Sequence, residues 1–271
     1  TLENNITTTS RFTKKCPLTI YSDIHNHYRL AGCINRHWGQ QRRTLAIRDP
    51  NRYAKVLVAQ ALQDNHIGYS GSIKFRKARP NSIILAAHQS PPLRKMLKEM
   101  LKNSDNLTAD SLLKKIGERY YKEQGTWQNG LRALKLILKP THIDFKHNLI
   151  NDGAGLSRYN LVSPIQLTKL LYYAYHDPNI RKSLIPALPI GGIDGTLIGR
   201  MWPVVDGRRV HAKTGSMTGV TTLSGYIYSR HHGVLIFAIM MSGFVGKDRP
   251  LLHVEDRMCD FLTYYQNKHH G

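Results

Sequence analysis

Three short blocks place hydroxyls, an amide and an ammonium at spacings that a hydrolytic site could use: Ser104-Asp105-Asn106, Asn151-Asp152-Gly153-Ala154-Gly155-Leu156-Ser157-Arg158, and Lys213-Thr214-Gly215-Ser216. The first opens a helical pattern, where Ser and Asp are equally natural as N-caps. Lys213 ends a run with strand character, and Gly215, having no Cβ, lets a ligand backbone approach closely. Each tripeptide alone is a small target that chance produces often. Together, in this order and on these element types, they point to one site.

The elements that must position them follow from periodicity. Residues 1–77 are rich in Thr, Ile, Val and Tyr with frequent turn residues, a β-leaning pattern. Within them, Tyr53, Val56, Leu57, Ala59, Ala61 and Leu62 recur at helical spacing over 50–66. From Asn81 the texture changes to a short apolar strand over 82–87, then Ser90-Pro91-Pro92 and a helix over 93–102, which puts a domain boundary near residue 80. After Asn106, residues Ala109, Leu112, Leu113, Ile116 and Tyr120 fall within an apolar arc of about 100°. Asp110, Ser111, Lys114 and Glu118 occupy the opposite face. Residues 131–138 read as a helix ended by Pro140, and 164–175 as another, with Ser163 as N-cap and Pro164 in the first turn. The last third reads as three strands over 209–214, 219–229 and 233–242, with a turn at Arg230-His231-His232-Gly233. Tyr226, Tyr228, Ile236, Ala238 and Met240 alternate and would form one buried face. A helix over 249–267 closes the chain. The fold class is therefore α/β (α+β), a terminal antiparallel sheet with a helical cluster.

Composition bounds the partners. The 271 residues hold 39 Lys+Arg against 18 Asp+Glu, a formal charge of +21. Such a surface attracts polyanions, whether nucleic acid, anionic lipid or an acidic wall polymer. The charge is scattered through small clusters such as Arg42-Arg43, Lys114-Lys115 and Arg208-Arg209, with no dense arm, so it reads as a solvated basic surface and no nucleic acid partner is expected. The longest apolar run, 234–241, is far shorter than the ~20 residues a bilayer span needs. Cys16 and Cys33 flank two extended runs around a polar turn and are either a disulfide across a hairpin or two separate thiols. Cys259 reads as a core thiol. No Cys-x-x-Cys pair occurs, and His231-His232 and His269-His270 sit at a turn and a tail. No metal and no cofactor are expected.

The longer blocks carry a resemblance. Residues 92–117 contain Pro92-Leu93, Met96-Leu97, Met100-Leu101-Lys102, Ser104-Asp105-Asn106-Leu107 and Ala109-Asp110. With residues 151–164, Gly192-Ile193-Asp194-Gly195-Thr196-Leu197 and Ala212-Lys213-Thr214-Gly215-Ser216, they resemble the D-alanyl-D-alanine carboxypeptidase/endopeptidases of the penicillin-binding protein 4 type. Ser-Asp-Asn and Lys-Thr-Gly are two of the three motifs of penicillin-binding proteins and β-lactamases. The resemblance implies a β-lactamase/transpeptidase-like domain over 81–271, with 1–80 the remainder of a β-rich inserted domain. It implies acyl transfer in the periplasm: a serine attacks the D-Ala-D-Ala carbonyl, D-alanine leaves, and water hydrolyses the acyl-enzyme. Ser104 would relay a proton to the departing amine, and Asn106 would bind the substrate's backbone amide. Lys213 would supply positive charge beside the substrate carboxylate, which Thr214 and Ser216 would hold. Gly215 would admit the substrate backbone, and the Ser216 N–H would be half of an oxyanion hole. Leu156, Arg158 and Met217 would border the pocket for the peptide's third residue, with Arg158 either meeting an acidic group there or making a surface ion pair. The partners implied are peptidoglycan stem peptides and β-lactams.

The third motif, Ser-x-x-Lys, occurs here only as Ser111-Leu112-Leu113-Lys114, on the face opposite the apolar arc and seven residues past Ser104. A lysine that activates a serine needs partial desolvation, so this pair is not expected to act. The resemblance places the nucleophile in a segment N-terminal to Thr1, and the chain alone is expected to form no penicillin adduct. The alternatives are a descendant that only binds cell-wall peptides, or a basic nucleic-acid-binding protein.

Overall fold

β-Branched and aromatic residues build the first part into three strands: β1 (Leu2–Thr9), β2 (Thr19–Ser22) and β3 (Tyr28–Asn35). The computed structural model describes residues 1–10, 16–76, 81–201 and 207–266. These form two units, Thr1–Ala87 and His88–Gly271. In the first, β3 is central, parallel to β1 and antiparallel to β2. The β2–β3 turn is set by Asp23, whose carboxylate accepts the N–H groups of His25 and His27, and Cys16 is bonded to Cys33. Helix α1 (Pro50–Asp64) starts where Asp49 accepts the Arg52 N–H. The Asn26 side chain pairs with the Asp49 backbone at 2.8 and 2.6 Å, tying that helix to the hairpin.

The expected strand over 82–87 does not form. Residues 82–87 have no ladder partner among the described residues, and Ile83, Ile84 and Leu85 are 86, 82 and 94% exposed. A strand needs a neighbouring strand as well as β-propensity, so apolar character alone does not make one.

The second unit runs α2 (Leu93–Asn103), α3 (Asn106–Tyr121), α4 (Trp127–Ile137), α5 (Pro164–His176), α6 (Pro178–Leu184), β4 (Val210–Met217), β5 (Val220–Ser229), β6 (Gly233–Ser242) and α7 (Arg249–Tyr264). Helix α4 begins four residues before the periodicity suggests, because Thr126 and Asn129 form a reciprocal capping box. Helices α3 and α4 touch closely at Gly117, where a Cβ would lie 2.5 Å from the Gly130 nitrogen. The sheet, in order β4-β5-β6, is antiparallel throughout.

The expected buried face is joined by a second on the other side of the sheet. On one face Leu223, Ile227 and Phe237 pack with Cys259 of α7, and Leu235, Ile239 and Leu262 complete the cluster. On the other, Tyr226, Val234 and Ile236 pack with Leu171 and Tyr175 of α5 and Leu101 of α2. Alternation gives a strand one apolar set per face, and both sets here are apolar, so a helix covers each side. Fully buried side chains of this size are each worth ~1.5–3 kcal/mol, which makes the sheet the rigid element on which β4 rests. The hairpin turn at residues 230–232 is as expected. Helix α7 ends at Tyr264, and His269 and His270 lie outside the described residues.

Candidate active site

The site is assembled where the elbow between α2 and α3 meets β4. Helix α2 ends at Ser104, a non-glycine residue in the left-handed region at φ 55°, ψ 50°. Asp105 then caps α3, accepting the N–H groups of Leu107 and Thr108 at 2.9 and 3.2 Å. The Thr108 hydroxyl and N–H hold the Asp105 carboxyl below its ordinary value. The left-handed residue reverses the chain between two helices, leaving the Ser104 side chain and Asn106, the first residue of α3, facing the cleft.

β4 supplies the opposite wall. By the ladder register Lys213 lies on the same sheet face as His211 and Tyr226, towards α2, and Thr214 and Ser216 lie on the face towards α7. All five residues 213–217 nevertheless line the cleft, which runs along the edge of the strand. Lys213 Nζ donates to Ser104 Oγ at 2.8 Å and to the Thr214 carbonyl at 2.8 Å. Partial burial pushes the Lys213 ammonium below its ordinary lysine value. Thr214 Oγ1 donates to Thr196 Oγ1 at 2.8 Å, and Ser216 Oγ donates to Asp248 at 3.4 Å. A Cβ at Gly215 would lie 2.4 Å from Thr222 Oγ1, so the position accepts only glycine without a shift.

A loop forms the far wall. Asp152 accepts the N–H groups of Gly155 and Ser157, both at 2.6 Å, and the Asn160 amide at 2.9 Å. Asp110 accepts the Gly153 N–H at 2.9 Å and pins that loop to α3; it is half-buried, not solvent-facing as the helical wheel suggests, because the wheel does not know of the loop. The cleft so enclosed has a volume of about 520 Å³.

Of the residues singled out in the sequence, Ser104, Asn106, Leu156, Lys213, Thr214, Gly215, Ser216 and Met217 line this one cleft. Arg158 stands outside the lining: its Nη2 donates to the Thr218 carbonyl at 2.9 Å. That bond, rather than an ion pair, holds it at the end of β4. Ser111 is exposed, and Lys114 lies 4.3 Å over the Trp127 ring, so this pair faces away from the cleft. Sequence reasoning missed Thr196, Asp152 and Asp248 as partners of the site. The first two lie inside the quoted blocks, which was the only signal; Asp248 has none. No group of His, Cys, Asp and Glu suited to a metal occurs among the described residues.

A helical elbow facing an edge strand through a Ser–Lys contact is the arrangement of a β-lactamase/transpeptidase-like fold, and known proteins agree. The model of the D-Ala-D-Ala carboxypeptidase 3 (S13) family matches residues 1–264, and the chain belongs to that family. It is 33% identical over 261 residues to the D-alanyl-D-alanine carboxypeptidase DacB of Haemophilus influenzae, covering 92% of this chain and 54% of that protein. It is also 33% identical over 225 residues to the D-alanyl-D-alanine carboxypeptidase of an Actinomadura species, covering 80% of this chain and 41% of that one. The chain thus spans about half the length of the curated relatives it matches. The structure superposes on penicillin-binding protein 4 from Haemophilus influenzae with a TM-score of 0.81 at 29% identity, over 97% of this chain and 60% of that one. A second structure of that protein, complexed with a β-lactam, gives a TM-score of 0.79. No helix among the described residues is long and apolar enough to cross a membrane.

Proposed function

We propose that this chain provides the ligand-binding walls of a serine D-Ala-D-Ala carboxypeptidase/endopeptidase acting on peptidoglycan stem peptides in the periplasm, and that β-lactams compete for the same cleft. In this reading residues 81–271 are the C-terminal part of the transpeptidase-like domain and 1–80 the remainder of an inserted β-rich domain. The observation that carries it is the 2.8 Å contact between Lys213 Nζ and Ser104 Oγ.

A partly desolvated ammonium donating to a serine hydroxyl leaves that hydroxyl's own proton free to donate. Ser104 can therefore pass a proton to the amine of departing D-alanine and regain one from the lysine side. Lys213 supplies the charge that a terminal carboxylate needs, and the Thr214 and Ser216 hydroxyls orient it. Asn106 has both an acceptor and donors for a substrate backbone amide. The Ser216 N–H lies on the cleft side of the edge strand, where it can meet an oxyanion as the acyl carbonyl becomes tetrahedral. Leu156 and Met217 border the third-residue side chain, and Arg158 stands beside them for an acidic group on it.

The test is calorimetry with a tripeptide ending in D-Ala-D-Ala and its L-Ala-L-Ala counterpart. The D,D peptide should bind and the L,L peptide should not. Because hydrogen bonds to charged groups are worth ~1.5–3 kcal/mol, K213M should weaken binding by roughly 10- to 100-fold. Equal binding of both peptides, or an unaffected K213M, would refute the reading.

A further inference from the structure

We propose that Lys102 and Asp194 are positioning residues whose partly buried ion pair, together with Thr196, brackets the α2–α3 elbow against β4 and so holds Ser104 within hydrogen-bond reach of Lys213. The proposal rests on the cleft being the D-alanyl peptide site.

Lys102 lies two residues before Ser104 and is 8% exposed, the one buried lysine among the described residues. Its ammonium has three protons to donate, and three acceptors surround it. Asp194 Oδ1 and Oδ2 are each 2.7 Å away, and the Leu188 carbonyl takes the third position. Asp194 Oδ1 also accepts the Ile190 N–H at 2.9 Å, which folds residues 190–194 around the carboxylate. The next residue, Gly195, has φ +57°, and a Cβ there would come within 2.7 Å of the Lys102 carbonyl oxygen. Residues 194 and 195 are thus pressed against the last turn of α2 by both side chain and backbone.

The same segment grips β4. The Ala212 N–H donates to the Pro189 carbonyl at 3.0 Å, and the Gly191 N–H donates to the Val210 carbonyl at 3.0 Å. Thr196 receives the Thr214 hydroxyl at 2.8 Å. Residues 188–196 therefore touch both walls of the cleft. One end fixes the helix that delivers Ser104, and the other fixes the strand that delivers Lys213. A buried cation is costly unless paired, and apolar residues in place of both partners can be as stable or more so, whereas removing one partner leaves the other unpaired. What Lys102 adds over an apolar residue is a fixed direction between two elements that are 92 residues apart at Asp194.

The test separates positioning from stability. Lys213 is titrated by NMR in selectively labelled lysine samples, its signal assigned by loss in K213M, with no ligand present. In K102M and in T196V the elbow and strand should part, water should reach Lys213, and its midpoint should rise towards that of an ordinary lysine. C259A removes a fully buried core thiol on the α7 face of the sheet; it should lower the melting temperature and leave Lys213 unmoved. An unmoved Lys213 in T196V and in folded K102M, or an equal rise in C259A, overturns the bracket. Should K102M fail to fold, T196V alone decides. The titration judges the bracket by itself, whereas failure of the wild type to bind a D-Ala-D-Ala peptide counts against the proposed function instead.

Discussion

Ser104 combines a chemical role with an unfavourable backbone, and the two can be separated by comparing S104G with S104A. At φ 55°, ψ 50° its Cβ crowds the following carbonyl. An L-residue in this region costs ~1–2 kcal/mol, and glycine escapes that cost. Glycine in turn loses more backbone freedom on folding, ~0.5–1 kcal/mol. Both variants delete the hydroxyl, so the bond from Lys213 is lost from each and cancels in their difference. The remainder predicts S104G to be more stable than S104A by ~0.5–1 kcal/mol. For a unit of this size that is a gap of about 1–4 °C in Tm. Differential scanning calorimetry on the two variants measures it, and both should lose function alike. S104A melting at or above S104G would show that the backbone conformation is not strained and that serine is held there for another reason.

Burial pushes the His211 imidazole below its ordinary value of 6.5, helped by the Lys102 cation and opposed by the Ile185 and Arg208 carbonyls and the Asp194 carboxylate; the Tyr228 ring packs against its edge. A depressed folded value means that the unfolded chain binds the proton first, so stability is full above 6.5 and falls as pH drops below it. Urea midpoints of the wild type should therefore fall more between pH 7 and pH 5 than those of H211N, and equal slopes would contradict this. Fluorescent penicillin followed by a denaturing gel should give no labelled band on these 271 residues. Ser111 is exposed and its lysine is engaged on Trp127, so a band at full mass that disappears in S111A would overturn that placement.

Much of the site was legible because its chemistry lies in short contiguous blocks. Asp105 caps a helix wherever that tripeptide opens one, and Lys213-Thr214-Gly215 keeps its strand because the sheet behind it is apolar on both faces. What was not legible is long-range. The Lys102–Asp194 pair joins residues far apart in the chain, and nothing in either neighbourhood marks them as partners. The contact of Ser216 with Asp248 is of the same kind. The 82–87 segment misled for the converse reason, since its residues favour a strand but a strand also needs a neighbour. The early start of α4 was hidden because Thr126 and Asn129 act through side-chain bonds that hydrophobic periodicity does not register.

The most direct test of the whole proposal is a residue-resolved NMR titration with a D-Ala-D-Ala peptide. The Asn106 side-chain amide and the backbone N–H groups of Gly215 and Ser216 should shift together along one binding curve, because elbow and strand face one ligand. Shifts confined to one wall, or centred on the separate surface groove beside Tyr172 and His176, would contradict it.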